Sequence, residues 1–119
     1  MKRDMDLVRR ILMELEASDY PLDASVFADG RVTVPQAAYH IEIMQQAGLI
    51  KATIARDLSG NLDATAESLT WNGQEFLDAV RSDGIWAKVK STIAKTVGST
   101  TLDTVKALAV KIGSELVLG

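Results

Sequence analysis

The stretch that decides the fold is AAYHIEIMQQAGLIKA, residues 37–52. Ala37, Ile41 and Met44 fall on one stripe, the spacing of a helix packed along one side. Pro35 suits the first turn of that helix, where its missing N–H costs nothing. Gly48 follows the last periodic residue, where a chain commonly leaves a helix through positive φ. From Leu49 to Arg56 apolar and polar residues alternate, the period of a half-buried strand. Leu58-Ser59-Gly60-Asn61 reads as a turn. Residues 67–70 then return as a second strand, approached irregularly through 62–66. Helix, glycine, strand, turn and strand in that order leave few compact arrangements.

Upstream, Met5, Val8, Ile11, Leu12 and Leu15 recur at helical spacing and predict an amphipathic helix over 4–17, with Asp4 as its N-cap. Asp6–Arg10 and Arg10–Glu14 are i,i+4 pairs on its wet face. Residues 18–34 are less regular, punctuated by Pro21 and Asp29-Gly30. A single helical turn around 23–27 and a short strand over 31–34 fit there. Downstream, Thr70 is the expected N-cap of a helix carrying Phe76, Leu77 and Val80, interrupted at Asp83-Gly84. A further helix over 85–97 places Trp86, Val89, Ile93 and Val97 on one face and ends at Gly98. Thr100 and Asp103 form a capping-box variant for a last helix, with Gly113 fraying its end. Its stripe is Leu102, Val105, Ala109, Ile112 and Leu116, while Leu108, Val110, Val117 and Leu118 lie partly off it. Trp71 and Trp86 are expected as packing anchors. The predicted class is mostly α with a small β-hairpin (α+β): a core over 1–82 and a C-terminal helical extension over 83–119.

Composition sets bounds. A chain of 119 residues, 47% of them hydrophobic, can build a core without staples. No cysteine is present, which excludes disulfides and thiolate metal sites, and one histidine makes an imidazole metal cluster improbable. No apolar run approaches the ~20 residues of a membrane span. The charged start MKRDMDLVRR lacks the apolar stretch of a signal peptide, so the expected setting is cytoplasmic. Net charge is −3. Residues 1–34 carry five basic and seven acidic side chains, 35–82 three and six, and 83–119 five and three. The basic share therefore lies in the C-terminal third, away from the helix over 35–47.

Two pieces carry a resemblance. YHIEIMQQAGLI is similar to the recognition helix of bacterial winged-helix regulators where it runs into the wing, with Met44 in place of that pattern's leucine. LTWNG is similar to the L-T-x-x-G that closes the wing. Over a longer span, MKRDMDLVRRIL, AYHIEIMQQAGLI and LTWNGQEFLDAVRSDGIWAKVK together resemble a small bacterial and phage family, domain of unknown function twenty-five-thirteen. The resemblance implies a winged-helix-like core and no established activity.

On the register that this resemblance sets, the exposed side of the reader helix carries Gln36, Tyr39, His40 and Ile43. Gln and His can bond base edges, and Tyr can bond phosphate or stack. Lys51 and Arg56 on the wing are candidate phosphate contacts. Against this, no Lys or Arg stands between Pro35 and Leu49, and Glu42 is negative. The regular helix that normally braces the reader helix is also missing. Catalysis is not expected, because His40 and Glu42 point apart on a helix and no triad pattern is present. No cofactor, metal or small-molecule ligand is implied.

Two function classes follow. The first is a protein-interaction or self-association module, a homodimer included, using Ile43 and the apolar residues Leu102, Val105, Leu108, Ile112 and Leu116. The alternative is a transcriptional regulator binding double-stranded DNA through helix 35–47 and wing 49–70. The charge map favours the first; the usual employment of the fold favours the second.

Overall fold

The computed structural model describes residues 1–95 and 101–118, with side chains through Leu116. Helix α1 (Met5–Ala17) leads to a two-residue strand β1 (Leu22–Asp23) and a 3-10 turn (Ala24–Phe27). Helix α2 (Val34–Gln46), strands β2 (Ile50–Arg56) and β3 (Leu62–Leu69), and helices α3 (Trp71–Val80), α4 (Asp83–Ala94) and α5 (Leu102–Leu118) follow. The three strands form one antiparallel sheet in the order β1-β3-β2. The chain divides into two compact units, Met1–Gln74 and Glu75–Gly119, with the boundary inside α3.

Asp4 caps α1 as predicted, its carboxylate accepting the N–H groups of Asp6 and Leu7. Leu7, Val8, Ile11, Leu12 and Leu15 form its buried face. Arg10 ties this helix to the irregular segment. Its guanidinium donates to the Phe27 carbonyl and to Asp29, each at 3.0 Å, and Glu14 lies 3.7 Å away. The helical turn expected at 23–27 is present and buries Ala24 and Phe27. It occupies the place where a longer bracing helix was missing from the sequence. The strand expected over 31–34 is not formed. Asp29 folds that segment into a turn by accepting the N–H groups of Arg31 and Val32, both at 2.7 Å. Those bonds, with the nearby Arg10, hold the Asp29 carboxyl below its ordinary range. Val34 already belongs to α2, while the sheet gains Leu22–Asp23, which the sequence pattern did not reveal.

Helix α2 begins with a capping box. The Thr33 hydroxyl accepts the Gln36 N–H, and Gln36 Oε1 accepts the Thr33 N–H. It ends in a Schellman turn. Leu49 N–H donates to the Met44 carbonyl and Gly48 N–H to that of Gln45, both at 3.0 Å, and Gly48 has φ +77°. Strand β2 then pairs with β3 from Ile50↔Leu69 to Arg56↔Leu62. The return strand is thus eight residues long, where only 67–70 was expected. The register shift between Lys51 and Ala52, which pair with Ser68 and Ala66, leaves Glu67 as the extra residue. A bulge of this kind flips which side chains face inward. Ala64 and Ala66 are buried before it, and Leu69 is half-buried after it. No single alternating pattern spans the strand, which is why its first half read as irregular. At the tip, the Asp57 carboxylate accepts the backbone N–H of Asn61 and of Ser59 and the Asn61 amide, and these bonds keep its pKa low.

The wing closes on α3 at one tight point. Thr70 N–H donates to the Leu49 carbonyl at 3.0 Å, and its hydroxyl donates to the Gly48 carbonyl. The same hydroxyl accepts the Gly73 N–H at 3.0 Å, so Thr70 caps α3 as predicted. A Cβ on Gly73 would stand 1.9 Å from the Leu49 carbonyl oxygen, inside any permitted contact.

In the second unit Phe76, Leu77, Val80, Trp86, Val89, Val105 and Ala109 are buried. Trp86 is an anchor as expected. Trp71 is not: it is 78% exposed. It is the first residue of α3, before the helix has turned a face inward. Asp83-Gly84 does not interrupt a helix but starts one. Ser82 caps α4 by accepting the Ile85 N–H, and Asp83 lies in the first turn, where the helix dipole favours an anion. At α5 the Thr101 hydroxyl accepts the Thr104 N–H. The expected Val97 stripe position, the Gly98 stop and the Thr100 cap lie outside the described residues. Gly113 lies within α5, which continues to Leu118.

Gly73→Ala is expected to cost about 3 kcal/mol or more, since overpacking against backbone cannot be relieved by a rotamer change. Gly48→Ala should cost only about 1–2 kcal/mol for the left-handed conformation, because nothing lies within 4 Å of its added Cβ. Urea unfolding of both variants checks the order; equal costs would contradict it.

Candidate functional site: the reader helix and wing

The face on which a winged helix would meet DNA is built by α2 and the β2–β3 wing, all within the first unit. Gln45 Nε2 donates to the Ala52 carbonyl at 2.8 Å and straps the end of α2 to β2. Near the start of α2, a depression of about 420 Å³ lies between the helix and the wing tip. Met1, Val34, Pro35, Tyr39 and Leu62 give it an apolar lining, with Glu42 and Arg56 among its walls.

Each predicted reader residue has a definite place. Gln36 is half-buried, and its side-chain oxygen is committed to the capping box. Tyr39 is half-buried with its ring edge-on to His40, centroids 5.5 Å apart. His40 corrects the expectation of an exposed base reader, because it is 1% exposed. Its Nδ1–H donates to the Gln36 carbonyl at 2.7 Å, and its Nε2 accepts the Asp4 N–H at 2.8 Å. The imidazole therefore joins the start of α1 to α2 and satisfies one of the N–H groups that a helix start leaves open. Periodicity could not show this, since its main partner lies 36 residues away. Ile43 is half-buried.

The charges are balanced. Both oxygens of Glu42 accept Arg56 Nη2, at 2.8 and 2.9 Å, with the Glu42 side chain 15% exposed and that of Arg56 55%. Arg56 thus meets the carboxylate of the helix it was expected to assist. Lys51 is exposed on β2. From Val32 to Ile50 there is no Lys or Arg. Sequence reasoning missed Met1, Val34 and Leu62 as lining residues, which come together only through the tertiary fold. The capping box was legible as Thr33-x-x-Gln36.

The interaction residues proposed on α5 divide as well. Val105 is 1% exposed and belongs to the core of its own unit, which removes it as a contact residue. Leu102, Leu108 and Ile112 are half-buried, and Leu116 is 54% exposed. Among the described residues, no group of three or more His, Asp or Glu side chains could hold a metal ion, and no helix is long and apolar enough to cross a membrane.

Residues 2–100 match the family described as hypothetical protein (DUF2513). The chain belongs to that family. An uncharacterized protein of Haemophilus influenzae is 36% identical over 118 residues, covering 98% of both chains. Among solved structures, a candidate transcriptional regulator of Thermoplasma acidophilum aligns with a TM-score of 0.50 at 17% identity, covering 77% of this chain and 93% of that one. At that identity the likeness concerns the fold alone, which is winged-helix-like and α+β as expected.

The buried role of His40 has a measurable consequence. His40→Leu leaves the Asp4 N–H without its acceptor and should cost about 1–3 kcal/mol in urea unfolding. A surface base reader would cost less than about 0.5 kcal/mol.

Proposed function

We propose that this domain is a winged helix used as a protein-interaction module, not as a reader of duplex DNA. One observation carries this reading: Arg56, the wing cation beside the reader helix, is ion-paired with Glu42 of that helix. Binding duplex DNA rests on cations that neutralise phosphates. With Arg56 matched, a phosphate would have to compete with Glu42 while lying near its negative charge. The apolar lining of the adjoining depression favours side chains of a protein over a sugar–phosphate chain. The reading involves no catalysis. His40 has both ring nitrogens bonded to backbone groups.

Self-association through α5 belongs to the same proposal. Val110 and Leu116 are 51% and 54% exposed on that helix. Within the second unit, Ala79, Ile85, Ala109, Val110 and Gly113 line an apolar groove of about 530 Å³. Covering one large apolar side chain is worth roughly 1.5–3 kcal/mol, and two-fold symmetry repeats the gain. The second reading, a DNA-binding regulator, is favoured by exposed Lys51 and by the name carried by the Thermoplasma structure.

Two measurements check these statements. A random duplex should show no retardation by the full chain at ~50 mM salt, the condition that most favours phosphate contacts. Retardation there, with a salt slope falling by about one in each of Lys51→Ala and Arg56→Ala, would establish the DNA reading instead. Light scattering should show a dimer at high micromolar concentration, and Leu116→Glu should weaken it by roughly tenfold or more. A wild-type chain that stays monomeric would remove self-association from the proposal.

A further inference from the structure

The sheet of the first unit has an open edge. In the order β1-β3-β2, strand β2 is paired on one side only. Two bonds show which of its backbone groups face β3. The Leu49 carbonyl accepts the Thr70 N–H at the base of the wing, and Asp57 N–H donates to the Asn61 carbonyl at the tip. Bonded pairs alternate along an antiparallel ladder, and the extra residue at the register shift lies on β3, so the parity of β2 is kept. Lys51, Thr53 and Ala55 therefore turn their backbone groups towards β3, while Ala52, Ile54 and Arg56 turn theirs outwards. Gln45 agrees with this parity, since its amide reaches the Ala52 carbonyl from outside the sheet. Among the described residues, none bonds the outward N–H or C=O of Ile54.

An open row of N–H and C=O groups is a template for another extended chain. The side chains decide which chain fits. Lys51, Thr53, Ala55 and Asp57 share one face of the strand, and all four are exposed. An antiparallel copy of β2, turned about a two-fold axis at Ile54, brings the two Ile54 residues opposite each other and Ala52 opposite the second copy's Arg56. On the exposed face it sets Thr53 opposite Ala55 and Lys51 opposite Asp57. Symmetry repeats each contact, so two Lys–Asp pairs form. Sliding the copy by two residues either way loses both, because Lys51 then meets Ala55 or Ser59. Arg56 adds no repulsion, being matched by Glu42 of its own chain. The Ala52 carbonyl, which already takes the Gln45 amide, has a second lone pair for the incoming Arg56 N–H.

We propose that β2 is a strand-pairing edge whose occupant is β2 of a second copy, joining two three-stranded sheets across Ile54. This pairing rests on the protein-interaction reading and is separate from the α5 contact, which lies on the other unit.

Disulfide trapping tests the pairing and its register together. The chain has no cysteine, so every bridge in a variant is an introduced one. Opposed residues between the bonded pairs have Cα atoms about 4.5 Å apart, within reach of a disulfide, whereas diagonal neighbours at ~7–8 Å are not. Full-length Thr53→Cys and Ala55→Cys chains, mixed in equal amounts at high micromolar concentration in a glutathione buffer, should trap the mixed dimer, read by mass spectrometry of the unreduced protein. Either variant alone should trap about tenfold less. Lys51→Glu in both chains sets two like-charged pairs across the contact and should cut the mixed dimer about tenfold. Its urea midpoint should stay close to that of the wild type, since Lys51 is exposed. Adding Leu116→Glu to both chains should leave the preference for the mixed dimer unchanged. Equal trapping in the mixture and in the single variants would overturn the proposal, as would trapping that Lys51→Glu leaves intact. No bridge in the mixture would also overturn it, leaving the edge to a strand of another protein. Any of these outcomes, with duplex DNA still unretarded at ~50 mM salt, strikes this proposal alone. Retardation of the duplex would instead remove the reading beneath it.

Discussion

The carbonyl of Leu49 is where the first unit is joined. It accepts the Thr70 N–H, while the residue before it, Gly48, gives its own carbonyl to the Thr70 hydroxyl. The hydroxyl in turn caps α3 at Gly73, which lacks a Cβ where one would strike the Leu49 oxygen. Three elements therefore meet in two short segments: the end of α2, the base of the wing and the start of α3. None can shift without breaking a backbone bond or forcing a collision. Leu49 and Ile50 are buried, so the hydrogen bonds at this join lie beside apolar packing. In a shielded setting, an unmade backbone bond costs more than the net worth of a made one.

Much of this join was legible in the sequence. Glycine after a periodic helix, followed by an alternating run, is a local signal, and so is a threonine three residues before a glycine. Both motifs appeared where the structure uses them. What escaped reading depended on distant partners. The inward turn of His40 needs the Asp4 N–H, and strand β1 exists only because β3 lies beside it. The bulge at Glu67 hid half of β3 by changing the side-chain parity partway along. Trp71 was expected inside on residue type alone, yet its position at the first turn of α3 leaves it in solvent.

The candidate site shows how one scaffold can keep its shape while changing its use. The strap from Gln45 to Ala52 and the capping box at Thr33 hold α2 against the wing whatever the outer face carries. That outer face is set by a few side chains. Here they are Tyr39, Val34 and Pro35 with a matched Glu42–Arg56 pair. The residues that determine the fold and those that determine the surface are thus largely separate, which is why family membership and fold do not by themselves state an activity.

Amide hydrogen exchange at Thr70 tests the central claim most directly. If the bond from Thr70 to Leu49 is the join on which the first unit depends, its N–H should exchange only by global unfolding, as slowly as the amides of Ile11 and Ile41 in the buried helices. Exchange of Thr70 through local opening, orders of magnitude faster than those amides, would show that the wing and α3 separate from α2 without unfolding the unit. That result would contradict the account.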